Sequence, residues 1–272
     1  MCVTLTPLAC DVIDLHCHIL PGIDDGPQTV EESLELARAA VAGGTRLVVA
    51  TSHVSWSRRN DSVTIFEGVA TLNERLAREG IQLEVRPGAE IAATLVGDLH
   101  PAELARLTLG GQRRRWLLIE PPFTPVVTGL DALIYGLQRD GYRIVLAHPE
   151  RCSGFHRDRA MLEALVGAGV LTSITAGSLV GRFGKPVQRF ADQLVRDGLV
   201  HNVASDAHDA VARPPSIAPE LSKAHLSELA DWFTRAIPEA ILGGSEPPPR
   251  PPVSAGARQA ERGLMSWLSR RG

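Results

Sequence analysis

Apolar runs along this 272-residue chain end, one after another, in side chains that bind metal ions. Val12-Ile13-Asp14-Leu15-His16-Cys17-His18, Leu47-Val48-Val49-Ala50-Thr51-Ser52-His53, Trp116-Leu117-Leu118-Ile119-Glu120, Ile144-Val145-Leu146-Ala147-His148 and Val203-Ala204-Ser205-Asp206-Ala207-His208 share the pattern. Leu83 to Glu90 repeats it with a carboxylate. Near-continuous apolar runs are the mark of parallel strands buried on both faces. Donors gathered at the strands' C-terminal ends predict a metal site on one face of an α/β fold.

The spacing between these runs is helical. Thr29 and Glu32 form a capping-box pattern ahead of Leu34, Leu36, Ala37, Ala40 and Val41. Further helices are expected near 65–79, 102–107, 130–139, 159–166 and 185–196. Strands are expected over 46–50, 82–86, 116–119, 143–146, 171–175 and 200–204, after the first at Val12. Seven βα units imply parallel strands with right-handed crossovers. They close naturally into a distorted (β/α)7 TIM-like barrel as a single domain, residues 12–245. An open doubly wound sheet would put chemistry at one crevice and leave ligands after nearly every strand unexplained. Residues 1–11 form a short extension. Residues 246–272 open with Glu246 and the run Pro247-Pro248-Pro249-Arg250-Pro251-Pro252, an extended linker by composition, and end in a stretch over 259–271 with Leu264, Trp267 and Leu268 on one helical face.

Composition narrows the partners. A net charge of −3 with acids and bases interspersed gives no basic excess for nucleic acid. Cys2, Cys10, Cys17 and Cys152 make no CxxC and no disulfide framework, which suits reduced thiols in the cytoplasm. No secretory signal pattern opens the chain, and no run approaches the ~18 apolar residues that span a membrane.

His16 and His18 stand two apart, so on a strand both imidazoles reach one side. Asp206 and His208 repeat that spacing. Each pair alone is a weak signal; five strand-end histidines with Glu90, Glu120, Asp206 and the loop carboxylates Asp24 and Asp25 are a strong one. An N/O donor set with no required thiolate suits a multinuclear Mn, Fe or Zn site. Such a site activates water as hydroxide and clamps phosphate oxygens during in-line attack. Phosphoester hydrolysis also wants arginines on the non-bridging oxygens, and Arg151 and Arg213 lie in loops leaving ligand-bearing strands. A cysteine phosphatase would need arginine six residues after its nucleophile; Ile23 and Asp158 occupy those places. Cys17, between two same-face histidines, is expected to point into packing. His100, His201 and His225 read as structural or solvent-facing, and for His156, after the fifth strand, a structural role outweighs contact with a substrate.

The stretch Asp14-Leu15-His16-Cys17-His18-Ile19-Leu20-Pro21-Gly22-Ile23-Asp24-Asp25-Gly26 resembles the opening motif of the PHP (polymerase and histidinol phosphatase) family. So, in order, do Ala50-Thr51-Ser52-His53, Pro87-Gly88-Ala89-Glu90-Ile91, Leu118-Ile119-Glu120, Leu146-Ala147-His148-Pro149-Glu150-Arg151 and Ser205-Asp206-Ala207-His208. The first and fifth favour the manganese-dependent bacterial tyrosine phosphatases of capsule and exopolysaccharide operons. The resemblance covers about residues 12–243. It implies two or three Mn ions per chain, with Fe or Zn as alternatives. It implies His16, His18, Glu90 and Asp206 on one ion, Glu90, Glu120 and His148 on a second, and Asp25, His53 and His208 on a third. Arg151 and Arg213 match its phosphate-binding arginines. The substrate it implies is phosphotyrosine on a bacterial tyrosine autokinase, attacked by a metal-bridged hydroxide, and it allows a homo-oligomer. The alternatives are a small-molecule phosphatase acting on a substrate such as histidinol phosphate, and a non-catalytic binding module on the same barrel.

Overall fold

Nine strands run among the described residues: β1 (Val12–Cys17), β2 (Thr45–Ala50), β3 (His53–Val54), β4 (Glu84–Pro87), β5 (Glu90–Ala92), β6 (Trp116–Glu120), β7 (Arg143–Ala147), β8 (Leu171–Thr175) and β9 (Asn202–Ala204). The computed structural model describes residues 11–111 and 115–252. All paired neighbours are parallel, in the orders β1-β2-β4 and β3-β5-β6-β7-β8-β9. The seven expected strand positions are therefore occupied, but two of them are broken. β2 and β3 are one position interrupted at Thr51-Ser52, and β4 and β5 another interrupted at Gly88-Ala89. The breaks have a local cause. Pro87 lacks the N–H that would continue the ladder, and a Cβ on Gly88 would lie 2.6 Å from Val49 Cγ1. Past the breaks, His53 and Glu90 sit opposite each other in register.

The two sheets close on each other at β9 and β1. Asp206 N–H donates to the His16 carbonyl at 2.8 Å, and His18 N–H donates to the Ala207 carbonyl at 2.9 Å. Asp14 fastens this seam from within. It is fully buried, and its carboxylate accepts from the Ser205 N–H (3.1 Å), the His16 N–H (3.2 Å) and the Ser205 hydroxyl. The core fills both the barrel interior and the layer beneath the helices, where Leu36, Ile65, Leu72 and Leu76 are fully covered.

Helices follow the periodicity. Thr29 and Glu32 close the capping box on helix Val30–Ala42. In Ser62–Arg78 the buried positions Ile65, Val69, Leu72 and Leu76 recur at helical spacing. Leu130–Arg139 and Lys185–Arg196 also lie where the pattern puts them. The short helices Ser153–Arg157, Ala176–Leu179 and Ala218–Lys223 gave no periodic signal, because one turn or so is too short to display one. No described helix is long and apolar enough to cross a membrane.

The proline run packs on the body. Trp232 Nε1 donates to the Pro248 carbonyl at 3.0 Å, and Arg250 donates to the Val195 carbonyl at 2.6 Å. With Glu246 paired to Arg143 at 2.5 Å, the run lies at the N-terminal ends of β6 to β9, across the barrel from the ligand-bearing rim. Residues 1–10 and the expected helix over 259–271 lie outside the described residues.

Candidate metal centre

All nine predicted ligands come together at the C-terminal rim. They form overlapping groups, each with its donor atoms within 4.8 Å of one another: His18, Asp25, His53 and His208; His16, Glu90 and His148; His16, His18 and Asp206; His53, Glu90 and Glu120. The i, i+2 spacing on β1 brings the two Nε2 atoms of His16 and His18 to 3.2 Å. Cys17, between them, faces away and is fully buried, with its sulfur 3.8 Å from the Ala207 carbonyl.

Glu90 is the hub. Its Oε1 lies 2.7 Å from His148 Nε2. Its Oε2 lies 3.2 Å from His16 Nε2, 3.3 Å from His18 Nε2 and 3.1 Å from His53 Nδ1. One carboxylate thus touches four imidazoles drawn from β1, β3 and the end of β7. Glu120, at the rim, is 3.8 Å from His148. The third expected group is complete: Asp25 Oδ1 is 3.6 Å from His53 Nε2 and 3.4 Å from His208 Nε2, and His18 joins it at 4.0 Å.

Hydrogen bonds behind this cluster aim the rings. His18 Nδ1 donates to Asp24 Oδ2 at 3.0 Å, which turns the Nε2 lone pair inward. His208 Nδ1 donates to the Asp206 carbonyl at 3.0 Å, to the same effect. Asp24 also accepts from the His53 and Gly26 N–H groups at 3.1 and 3.0 Å. The adjacent acids therefore divide the work: Asp24 is buried and orients, while the half-exposed Asp25 faces the cluster. Gly26 permits this loop, since a Cβ there would lie 2.2 Å from the His18 carbonyl oxygen.

Two backbone outliers coincide with the site. His148 (φ 30°) and Asp206 (φ 51°) occupy the left-handed region that non-glycine residues avoid. Each turns its side chain inward at a strand end. Asp206 then splits its carboxylate. Oδ1 faces His18 at 3.4 Å and His16 at 3.5 Å, and Oδ2 accepts from Arg151 at 2.5 Å and Arg213 at 2.6 Å. Both predicted arginines are thereby held beside the cluster.

The donor chemistry fits cations. Glu90 Oε2 is buried without a hydrogen-bond partner among converging lone pairs, an arrangement that requires positive charge in its midst. In the metal-free chain that charge comes from protons. Burial alone would depress His16, but Glu90 and Asp206 outweigh it and raise the imidazole. His18 is raised further, burial being overcome by the neighbouring carboxylates of Asp206, Asp24 and Glu90. Burial would raise Glu90 and Asp206, yet the surrounding histidines hold both well below the usual carboxylate range. Burial, reinforced by the Glu90 charge, pushes Glu120 up to about 8. Burial also pulls His148 down to about 4 despite its bond to Glu90, leaving a neutral ring suited to ligation.

Other expectations sort simply. His100 caps helix Pro101–Arg106. His156 has the structural role that the sequence favours: it donates to the Glu150 carbonyl at 2.7 Å and packs on Phe190, because the helix Ser153–Arg157 carries it aside. Glu150 itself was not anticipated. Fully buried, it accepts from the Thr175 N–H (2.9 Å) and the Ser178 hydroxyl (2.7 Å), fastening the turn that bears Arg151 to the end of β8. Gly177, at that strand end, makes room for the Arg182 side chain.

A sequence model of the family described as capsular polysaccharide synthesis, CpsB/CapC, matches residues 12–229. The tyrosine-protein phosphatase YwqE of Bacillus subtilis is 41% identical over 203 residues, 74% of this chain and 79% of that protein. The tyrosine-protein phosphatase CpsB of Streptococcus pneumoniae is 29% identical over 216 residues, 75% of this chain and 86% of that protein. A crystal structure from work on those two proteins, described as metal-dependent tyrosine phosphatases, superposes with a TM-score of 0.78 at 38% identity, covering 89% of this chain and 99% of that one.

Proposed function

Since the chain belongs to the CpsB/CapC family of capsular polysaccharide synthesis, we propose that it is a metal-dependent phosphatase of phosphotyrosine in proteins. The observation that carries this reading is the double role of Asp206, whose one oxygen faces the histidine cluster and whose other holds two arginines. Cations and guanidinium groups are thereby set side by side, as a phosphate monoester with several anionic oxygens requires.

The residues that would hold metal are His16, His18, Asp25, His53, Glu90, Glu120, His148, Asp206 and His208, and Glu90 belongs to two of their groups. Manganese is the proposed metal, two or three ions per chain, on the family resemblance; the nitrogen and oxygen donors without thiolate suit it, and suit Fe or Zn as well. Bound cations supply Lewis acidity, which brings the pKa of water toward neutrality and screens the phosphoryl oxygens. The chain's own residues do the rest. Arg151 and Arg213 turn their N–H edges from Asp206 to the equatorial oxygens and neutralise the charge that develops there. Asp24 and the Asp206 carbonyl keep the His18 and His208 rings fixed while this happens. A phenol leaves with a pKa near 10, low enough for departure without a strong general acid beside it. Residues 12–245 are the catalytic unit. The protein partner we propose is a tyrosine autokinase of polysaccharide synthesis, met in the cytoplasm.

The test is a comparison of two substrates on the manganese-loaded protein, a phosphotyrosine peptide and histidinol phosphate. Turnover of the peptide, lost in His148→Ala and Asp206→Ala, is the expected result. Turnover of histidinol phosphate alone overturns the substrate, and full activity in either variant overturns the metal mechanism.

A further inference from the structure

The order β6-β7-β8 sets three loops side by side at the rim, and in that order they carry Phe123, Arg151 and Phe183. The Arg151 guanidinium carbon lies 5.4 Å from the Phe123 ring centroid and 4.5 Å from that of Phe183. Phe123 also stacks on His148, with centroids 5.4 Å apart and planes inclined by 17°. It nevertheless stays 49% exposed. Phe183 reaches in the other direction, bordering a cavity of about 10 Å3 that Asp206 and Arg213 also line. Two flat apolar faces therefore flank the phosphate-binding arginine, and one of them rests on a ligand imidazole.

We infer that Phe123 and Phe183 form a slot for the aryl group of the substrate and make the site select a phosphorylated phenol over a phosphorylated alkyl alcohol. This rests on the phosphatase reading above. The ester oxygen of a bound phosphate must point out of the cluster, since the inner side is closed by the buried Glu90 and His18. The group attached to it leaves past the rim at Arg151, where the described flanking loops present phenyl rings. A tyrosyl ring meets them edge or face at ordinary aromatic spacing, whereas a seryl methylene is too short to touch either. Preference for aryl esters then arises from contacts outside the metal cluster, in residues that bind no metal.

The experiment uses the metal-loaded full chain and two non-hydrolysable probes, phenylphosphonate and methylphosphonate, measured by calorimetry. Kinetics on two peptides differing only in phosphotyrosine or phosphoserine run alongside. Phe123→Ala and Phe183→Ala each weaken phenylphosphonate roughly tenfold and raise KM for the phosphotyrosine peptide by a similar factor. Methylphosphonate affinity stays within twofold. Phe123→Leu, which keeps bulk without a flat face, falls between. Equal weakening of both phosphonates overturns the inference, because the rings would then act only by holding Arg151. Unchanged phenylphosphonate affinity overturns it too. If the wild-type protein turns over neither peptide, the phosphatase reading fails, while the phosphonate pair still decides the slot.

Discussion

Replacing Glu90 by glutamine is the most informative single change at this site. The side chain is buried, and its two oxygens lie 2.7 to 3.3 Å from nitrogens of four histidines. Glutamine keeps the shape and removes the charge. At an effective dielectric near 20, two unit charges ~4 Å apart interact by about 4 kcal/mol, which corresponds to roughly a thousandfold in binding. A shared carboxylate acts on more than one cation, which adds to this figure, while the weaker hold on the protons of His16 and His18 that a metal displaces offsets part of it. Glu120→Gln is the control. Glu120 sits at the rim and, pushed up to about 8, already carries a proton near neutrality in the metal-free chain. Its glutamine resembles that form, and the expected loss is at least tenfold smaller. Metal content after dialysis at fixed free manganese, and kcat/KM on a phosphotyrosine peptide, are measured for both variants. Thermal unfolding in chelator shows that each is folded. Equal losses in the two variants, or full metal content in Glu90→Gln, would refute the idea of a shared hub.

Three further outcomes are expected. Asp14→Ala leaves the Ser205 N–H, the Ser205 hydroxyl and the His16 N–H without their acceptor; at roughly 1–3 kcal/mol for each group left unsatisfied, it lowers the unfolding midpoint more than any single ligand substitution in the metal-free protein, as calorimetry would report. Chelation abolishes turnover, and restoring manganese to about a thousand times its Kd raises stability by about 4 kcal/mol, seen as a thermal shift that Glu90→Gln lacks. His201, held down to about 4 by burial and by the Arg250 charge, has an unfolded value near 6.5. Its contribution is therefore intact above about pH 6.5 and is lost as pH falls through about 4; His201→Gln flattens that part of the stability profile, and an unchanged profile contradicts the assignment.

The candidate site was legible because its proposed donors, Asp25 in its loop excepted, sit at strand ends, where an apolar run and a donor are adjacent in sequence. Spacing paired His16 with His18 and Asp206 with His208; the full set of nine came from the family resemblance, and all nine side chains lie together. The breaks at Thr51-Ser52 and Gly88-Ala89 were not legible, since they depend on how closely Gly88 approaches Val49, a contact between different strands. Of the two loop carboxylates the resemblance singles out Asp25, but the part Asp24 plays in orienting His18 depends on the loop's path and has no signal in the sequence. The roles of Glu150 and Asp14 have no local signal for a related reason, since their partners at Thr175, Ser178 and Ser205 are distant along the chain. Phe123 and Phe183 carry no periodic signal, and their relation to Arg151 exists only through strand order. The proline run read as a linker because composition is blind to the indole of Trp232 that binds it.

The central claim is that the nine donors form one multinuclear centre responsible for phosphotyrosine hydrolysis. Elemental analysis of the active, extensively dialysed protein, with phosphotyrosine turnover measured on the same sample, tests it most directly. The account predicts two or three manganese ions per chain and turnover that falls in step with their number. Full turnover at fewer than one ion per chain would contradict it.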